Sequence, residues 1–132
     1  MSQAIKRGQY IRKSVHTVDE ILAIVGSGLV DAGDHTYNTD SDRLYLFQEK
    51  GVCCVHCGIE GVFFAKEKDW KTDHEKYHFN LYALNANNDP VLMTKDHIKP
   101  RSKGGPDKLE NYQTMCARCN KIKSDIYVDT NE

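Results

Sequence analysis

The sequence lacks any apolar run close to the roughly 18 residues that a membrane-spanning helix needs. Its most apolar stretch, residues 21–30, is broken by Gly26 and Gly28. No apolar core follows the basic start of the chain, so we expect no signal peptide. Repeats and low-complexity tracts are also absent, and a content of 39% hydrophobic and 28% charged residues is ordinary for globular proteins. These features predict a globular, cytoplasmic protein with no membrane partner.

The chain has almost no net charge, because 18 basic side chains stand against 19 acidic ones in 132 residues. The total therefore gives no sign of a nucleic-acid partner. The distribution is more informative, since residues 95–123 carry eight basic side chains against three acidic ones. Residues 14–94 carry six against thirteen. A basic segment of this kind is typical of a surface that contacts a polyanion.

The first part of the chain is predicted to be a basic arm followed by helices. Residues 1–13 carry four basic side chains and no acidic one. Thr17 and Glu20 have the spacing of a capping box, and apolar residues follow at helical intervals. We therefore predict a loose arm over residues 1–13 and a helix over about 18–26 that ends at the glycines.

A polar stretch, residues 31–40, is predicted to be a loop. Ser41 or Asp42 can cap a second helix that runs to about Lys50, with Gly51 at its end. The apolar side of that helix would be formed by Leu44, Phe47 and Leu46.

The remaining chain has the texture of short strands and turns. Residues 66–77 are polar and are predicted to be a surface excursion, and a helix is predicted to begin near Ala117. Strands are predicted over residues 62–64, 78–84, 91–97 and 112–115.

Five cysteines are present, and an odd number in a cytoplasmic chain favours metal or redox chemistry over a disulfide framework. Cys54 and Cys57 form one Cys-x-x-Cys pair, and Cys116 and Cys119 form another. Two such pairs are a ligand set for a tetrahedral structural Zn²⁺ site, which would clamp two distant segments together. Buried reduced thiols or redox pairs are the alternative interpretation.

The fifth cysteine, Cys53, is interpreted as a small apolar residue, because its spacing to Cys57 is unusual for zinc ligands. His56 lies inside the first turn. We expect it to be exposed or adjacent to the site rather than a ligand.

Between and around the cysteine pairs, a second pattern combines an Asp-His dipeptide, a Gly-Gly loop and two asparagines. Asp96 and His97 precede the glycines, Asn111 precedes the second cysteine pair, and Asn120 follows it. Residues 93–124 with these features strongly resemble the HNH endonuclease family, in its zinc-bearing branch of phage and bacterial enzymes. Residues 1–49 resemble nothing that assigns a function.

The resemblance implies an α+β fold: a ββα-metal (His-Me finger) nuclease core with a four-cysteine zinc site, preceded by an N-terminal helical region. The implied division is residues 1–49, an arm with helices, and residues 50–132, the nuclease domain. The implied substrate is DNA, and the implied products carry a 5′-phosphate and a 3′-hydroxyl.

The resemblance also implies a role for each signature residue. Asp96 and Asn120 would hold a catalytic Mg²⁺ or Mn²⁺, His97 would be the general base, and Asn111 would orient His97 by tying the loop. The last signature position is often histidine in the family, and Asn120 also occurs there.

This chemistry is reasonable from the residues themselves. A histidine can accept a proton from water near neutral pH, and a Mg²⁺ held by few protein oxygens keeps positions for phosphate. One geometric difficulty is that neighbouring strand residues point to opposite faces. Asp96 and His97 can reach one phosphate only if the strand ends or bulges there.

Basic residues around the proposed site are predicted to contact DNA phosphates, with salt-sensitive binding. The alternative for each is a solvated surface position. The residues are Lys99, Arg101, Lys103, Lys121 and Lys123.

Two other functions remain open at this point. One is a zinc-stabilised DNA-binding or assembly module with little or no catalysis. The other is a zinc protease, because residues 74–78 read His-Glu-Lys-Tyr-His, although the segment is polar and precedes a strand-like run.

A single small nuclease site would nick one strand of DNA. Cleavage of both strands would need a homodimer or two successive binding events.

Overall fold

Seven strands carry the fold in the part of the chain that this computed structural model describes, residues 9–72 and 74–123. Three short helices pack against the strands, so the architecture is α+β, as predicted. No helix in these residues is long and apolar enough to cross a membrane. The elements in chain order are β1 (Tyr10–Thr17), α1 (Val18–Leu22), β2 (Leu29–Asp31), β3 (Thr36–Asn38), α2 (Asp42–Lys50), β4 (Gly61–Asp69), β5 (Lys76–Leu84), β6 (Pro90–His97), β7 (Tyr112–Cys116) and α3 (Ala117–Lys123).

The strands run in the order β1-β4-β5-β3-β2. Outside this order, β6 pairs with β5 and with β7. The long pairs β1–β4, β4–β5, β5–β6 and β6–β7 are antiparallel, whereas β3 lies parallel to β5. β5 is therefore the central strand, and it connects the first part of the chain to the β6–β7 hairpin.

The apolar core lies between the sheet and the helices. Phe47 of α2 packs against Phe64 of β4, with ring centroids 6.1 Å apart, and Phe64 packs edge-on against Phe79 of β5. Leu44 and Leu46 of α2 are fully buried. The predicted apolar side of this helix is confirmed, and α2 is thereby fixed beneath the sheet.

Local capping signals set the starts of the first two helices. Thr17 accepts from the Glu20 backbone N–H, and the Glu20 carboxylate accepts from the Thr17 N–H, which completes the predicted capping box. The Ser41 hydroxyl accepts from the Leu44 N–H, and Gly51 follows α2 with a positive φ of 99°. The predicted bounds of α2 are therefore confirmed.

Other expectations for this region are wrong. The helix predicted over residues 18–26 ends at Leu22, because the chain turns so that the Gly26 N–H can donate to the Thr39 carbonyl. Residues 31–40, predicted as a loop, contain the end of β2 and all of β3. Pairing with the rest of the sheet, which local sequence does not encode, creates these two strands.

The predicted loose arm is also partly wrong, because residues 10–13 lie in β1, which pairs with β4. Residues 1–8 of that arm lie outside the described residues. The predicted N-terminal helical region therefore has three strands beside its two helices. The division between residues 1–49 and 50–132 stays a prediction, and contacts of β1 with β4 and of α2 with β7 cross it.

The surface excursion predicted over residues 66–77 is wrong, because β4 continues to Asp69. Polar residues fit there because Glu67, which is fully buried, accepts three hydrogen bonds. Its donors are Arg12 Nε at 2.8 Å, Asn80 Nδ2 at 2.7 Å and the Tyr82 hydroxyl at 2.7 Å. The network links β1, β4 and β5 through buried polar groups, which is why composition alone is misleading here.

Candidate functional site

The four paired cysteines come together although 58 residues separate the pairs. Cys54 and Cys57 lie in the turn between α2 and β4, Cys116 ends β7, and Cys119 lies in α3. Their sulfur atoms all lie within 4.8 Å of one another. Cys57 Sγ and Cys116 Sγ are 3.8 Å apart.

That distance distinguishes a metal site from a disulfide. Tetrahedral Zn²⁺ with bonds of about 2.3 Å places its thiolates about 3.8 Å apart, whereas a disulfide requires about 2.05 Å. The donor set and spacing therefore suit a metal ion such as zinc.

The pKa values of two of these thiols are shifted in opposite directions. Burial opposes ionisation of Cys54, but backbone N–H donors, led by that of Cys116, outweigh it and lower the pKa of this thiol to about 6. Burial and the neighbouring sulfurs raise the pKa of Cys119 to about 12. A dication would relieve this crowding, because it stabilises all four groups as thiolates.

Cys53 and His56 lie beside this cluster. Cys53 is exposed, forms an isolated bridge with Glu60 and is not a member of the four-sulfur group. His56 Nδ1 lies 3.4 Å from Cys119 Sγ, so the imidazole contacts a sulfur of the cluster.

The Asp-His pair lies at the end of β6. β6 and β7 pair in regular register from Met93 opposite Cys116 to His97 opposite Tyr112. No bulge interrupts this ladder, and β6 ends at His97. The side chains of Asp96 and His97 therefore leave opposite faces of a regular strand, yet both line one space at its end.

Asp96 is a buried carboxylate between β7 and α3. Gln113, directly opposite on β7, donates from Nε2 to Asp96 Oδ2 at 2.9 Å. Lys123 of α3 places its Nζ 3.1 Å from the same oxygen. Asp96 thus has one neutral and one cationic donor on the same oxygen.

Asn120 lies on the same side of α3 as Lys123. Its Nδ2 donates to the Thr94 hydroxyl at 2.8 Å, and Thr94 is two residues before Asp96 on one face of β6. The amide N–H is thereby bound to the strand, and the amide oxygen has no hydrogen-bond partner among residues 9–72 and 74–123.

His97 makes contacts on the opposite side of β6. Its ring packs edge-on against Tyr112, with centroids 5.1 Å apart, and its Nε2–H donates to Asp107 Oδ1 at 2.7 Å. Arg101 Nε donates to the same oxygen at 2.9 Å. These hydrogen bonds, that of His97 first, lower the pKa of Asp107 below its ordinary value.

Asn111 ties the intervening loop to the end of the strand. Its Oδ1 accepts from the Lys99 N–H, and its Nδ2 donates to the carbonyls of Lys99 and Pro106. The Ile98 N–H donates to the Asn111 carbonyl at 2.8 Å. The side chain thus bridges both ends of the loop immediately after His97, where the predicted orienting group would act.

Gly105 makes this loop possible, because a Cβ built there would stand 1.7 Å from the Lys99 carbonyl oxygen. The preceding Gly104 has a positive φ of 87°, which ends the 3-10 turn at Arg101–Lys103. The Gly-Gly pair is therefore required by close backbone packing as well as by backbone conformation.

A cleft of about 540 Å³ opens where β6, the loop and α3 meet. It brings together the three signature residues predicted to act on the substrate. Its lining residues are Lys95, Asp96, His97, Pro100, Arg101, Ser102, Asn120 and Lys123.

The predicted DNA contacts divide into two groups. Lys99, Arg101, Lys103 and Lys121 are exposed, as a phosphate contact requires. Lys123 is only partly exposed, and its ammonium contacts Asp96 and the His97 carbonyl.

The protease hypothesis does not suit the observed geometry. Its motif requires His74 and His78 on one helix, but β5 begins at Lys76. Within the described residues, the group of metal-ligating side chains that comes together consists of the four cysteines.

Sequence reasoning did not identify three of the contacts that hold the site. Asp107 has no motif of its own and reaches His97 through the fold of the loop. Gln113 becomes a partner of Asp96 only through the pairing of β6 with β7. Thr94 becomes a partner of Asn120 only through the packing of α3 against β6. Alternation along β6 was the available signal for Thr94, since it shares a strand face with Asp96.

Residues 83–125, about a third of the chain, match the family model described as HNH endonuclease. No curated protein and no solved structure matches the chain. The matched segment covers β6, the loop, β7 and α3, and hence every residue that lines the cleft. The segment that forms the cleft, residues 83–125, is therefore similar to the HNH endonuclease family.

Proposed function

We propose that the chain is a metal-dependent DNA endonuclease whose reaction takes place in the cleft at the end of β6. The observation that carries the proposal is that Asp96, His97 and Asn120 line one cleft within the HNH segment. A carboxylate, an imidazole and an amide are suited to phosphodiester hydrolysis with a divalent ion and a base. The products would carry a 5′-phosphate and a 3′-hydroxyl.

His97 would accept the proton of the attacking water. Because its Nε2–H is donated to Asp107, the neutral ring carries its lone pair on Nδ1. Packing against Tyr112 and the loop held by Asn111 would keep the ring in place. Asn111 and Asp107 would therefore be positioning residues in this scheme.

Asp96 and Asn120 would hold a divalent ion, Mg²⁺ or Mn²⁺. The donors fit, because Asp96 supplies an anionic oxygen and Asn120 supplies an amide oxygen. The Nδ2 group of the same Asn120 amide already donates to Thr94. When bound, such an ion stabilises the negative charge that develops on the phosphate and on the leaving oxygen. A set of only two protein oxygens leaves positions for the substrate.

The remaining groups would bind DNA and stabilise the site as a ββα-metal (His-Me finger) unit. Exposed Lys99, Arg101, Lys103 and Lys121 would contact phosphates, and binding would weaken as salt rises. We propose that the four cysteines hold a structural Zn²⁺ as in the zinc-bearing branch of phage and bacterial enzymes. Four thiolate ligands suit a reducing, cytoplasmic environment.

The alternative is a zinc-stabilised DNA-binding or assembly module without turnover. Supercoiled plasmid incubated with the zinc-loaded protein distinguishes the two. Magnesium should be omitted from the blank rather than chelated, because a chelator would also remove zinc.

We expect nicked circles with Mg²⁺ or Mn²⁺, none without them, and none from Asp96→Ala. Asp89→Ala, which changes an exposed carboxylate in the β5–β6 turn, is the matched control and should nick as the wild type does. Nicking that does not require a divalent ion would contradict the proposal. So would the absence of nicking both with Mg²⁺ and with Mn²⁺.

A further inference from the structure

Lys123 ends α3 with its ammonium directed at the carboxylate of Asp96. Its Nζ lies 3.1 Å from Asp96 Oδ2 and 3.4 Å from Oδ1, and donates to the His97 carbonyl at 2.9 Å. The Lys123 side chain is 19% exposed and that of Asp96 is 7% exposed. This lysine is therefore a bound part of the cleft.

The pairing has a physical cause in the burial of Asp96. An ionised carboxylate removed from water is unfavourable unless charges or hydrogen bonds compensate it. Gln113 supplies one neutral donor, and Lys123 supplies the positive charge. Lys123 thus neutralises the residue that the proposed function assigns to the metal.

We propose that Lys123 is an internal counter-cation of the divalent-metal site, which leaves Asp96 when a DNA phosphate binds its ammonium. This inference rests on the proposed function, since it takes Asp96 as the metal ligand. Lys123 would then make metal binding depend on the presence of substrate.

Competition between the two cations follows from the distances. A divalent ion such as Mg²⁺ requires a carboxylate oxygen at about 2.0–2.1 Å, which places it within a few ångströms of the ammonium. The divalent ion and the ammonium are both positive, and at so short a distance they repel strongly in a partly buried cleft. Lys123 in its observed position therefore weakens metal binding.

A phosphate gives the displaced ammonium a new partner in the same cleft. Lysine carries its charge on a flexible four-carbon stem, so Nζ can move without a change in α3. DNA binding would thereby free Asp96 for the metal, and metal binding would free Lys123 for DNA. The two affinities must rise together, because coupling between binding sites is reciprocal.

The test is Mn²⁺ binding to the zinc-loaded protein, followed by the paramagnetic resonance signal of the free ion. Lys123→Met should bind Mn²⁺ roughly tenfold more tightly than the wild type, since it removes a nearby positive charge. Arg118→Met removes a charge from an exposed position of the same helix and should leave the affinity unchanged. In an Asp96→Asn background, lysine and methionine at position 123 should give the same Mn²⁺ affinity.

A second arm measures the effect of DNA on Mn²⁺ binding and does not depend on the folding of Lys123→Met. In the His97→Ala background, which keeps DNA intact, a short duplex should increase Mn²⁺ affinity. Lys123→Gln, which retains a hydrogen-bonding group, should reduce that increase. An unchanged increase would overturn the inference.

The outcomes separate this inference from the proposed function. Equal or weaker Mn²⁺ binding by Lys123→Met, with binding still dependent on Asp96, overturns the inference alone. No Mn²⁺ binding at Asp96 in any of the proteins, with or without DNA, overturns both. Plasmid nicking by the wild type tests the proposed function independently.

Discussion

Asp107 illustrates at the residue scale how a side chain outside the signature can control one within it. Its carboxylate receives His97 Nε2 and Arg101 Nε on the same oxygen. Because these hydrogen bonds lower its pKa, the carboxylate stays charged even at pH values within the ordinary carboxyl range. The pair is lost only as the pH falls through that lowered value.

We expect Asp107→Ala to lower the turnover rate in plasmid nicking about tenfold, because the base loses the partner that orients it. The concentration of DNA that gives half-maximal rate should not rise, since Asp107 is assigned no phosphate contact and its loss releases Arg101 for one. A normal turnover rate, or a defect confined to DNA binding, would rule out a positioning role.

The sequence predicts the signature residues but not their partners, for a physical reason. Asp96, His97, Asn111 and Asn120 form a pattern of residue types at fixed spacing, which is readable before the fold is known. Asp107 becomes a partner of His97 only through the closed loop.

At the scale of elements, a helix or strand was predicted correctly where the residues that determine it are its neighbours in the sequence. α2 was predicted between Ser41 and Gly51 because both ends are set by residues next to them. The continuation of β4 was missed, because the burial of Glu67 depends on partners from β1 and β5. Local chemistry sets helix ends, whereas pairing with distant strands decides which polar segments become strands.

The loop between β6 and β7 provides a test of close packing. Gly105→Ala should lower the free energy of unfolding by about 2–4 kcal/mol, because the methyl group would collide with the Lys99 carbonyl. Gly104→Ala should cost only about 1–2 kcal/mol, the strain of its positive φ. Equal losses in urea unfolding would show that the collision is relieved elsewhere.

The cysteine cluster provides a test of the metal at the same scale. Purified protein should contain about one zinc per chain, and Cys116→Ser should lose it together with cooperative thermal unfolding. Cys53→Ser changes the neighbouring exposed thiol and should retain the metal. Full zinc content in Cys116→Ser, or equal loss in both variants, would refute the assigned ligand set.

For the whole molecule, the buried Glu67 network joins the first strand to the rest of the sheet. Burial, and then the hydrogen bond to Glu67, raise the pKa of Tyr82, so the phenol remains a donor. Glu67→Ala leaves Arg12 and Asn80 without their acceptor. It should reduce the free energy of unfolding by about 3–5 kcal/mol, measured in urea, whereas exposed Asp69→Ala should have little effect.

Cooperativity gives the same experiment a second result. Because β1 pairs with β4 and α2 packs on β7, we expect one unfolding transition for the chain. Two separate transitions, with Glu67→Ala affecting only the first, would instead favour the division at residues 49 and 50.

The most direct test of the central claim is the rate of plasmid nicking by His97→Ala at zinc content equal to that of the wild type. Loss of the general base should lower the Mg²⁺-dependent rate at least about 100-fold. His74→Ala, which removes an exposed histidine away from the cleft, should nick at the wild-type rate. Equal rates for His97→Ala and the wild type would contradict the assignment of the reaction to this cleft.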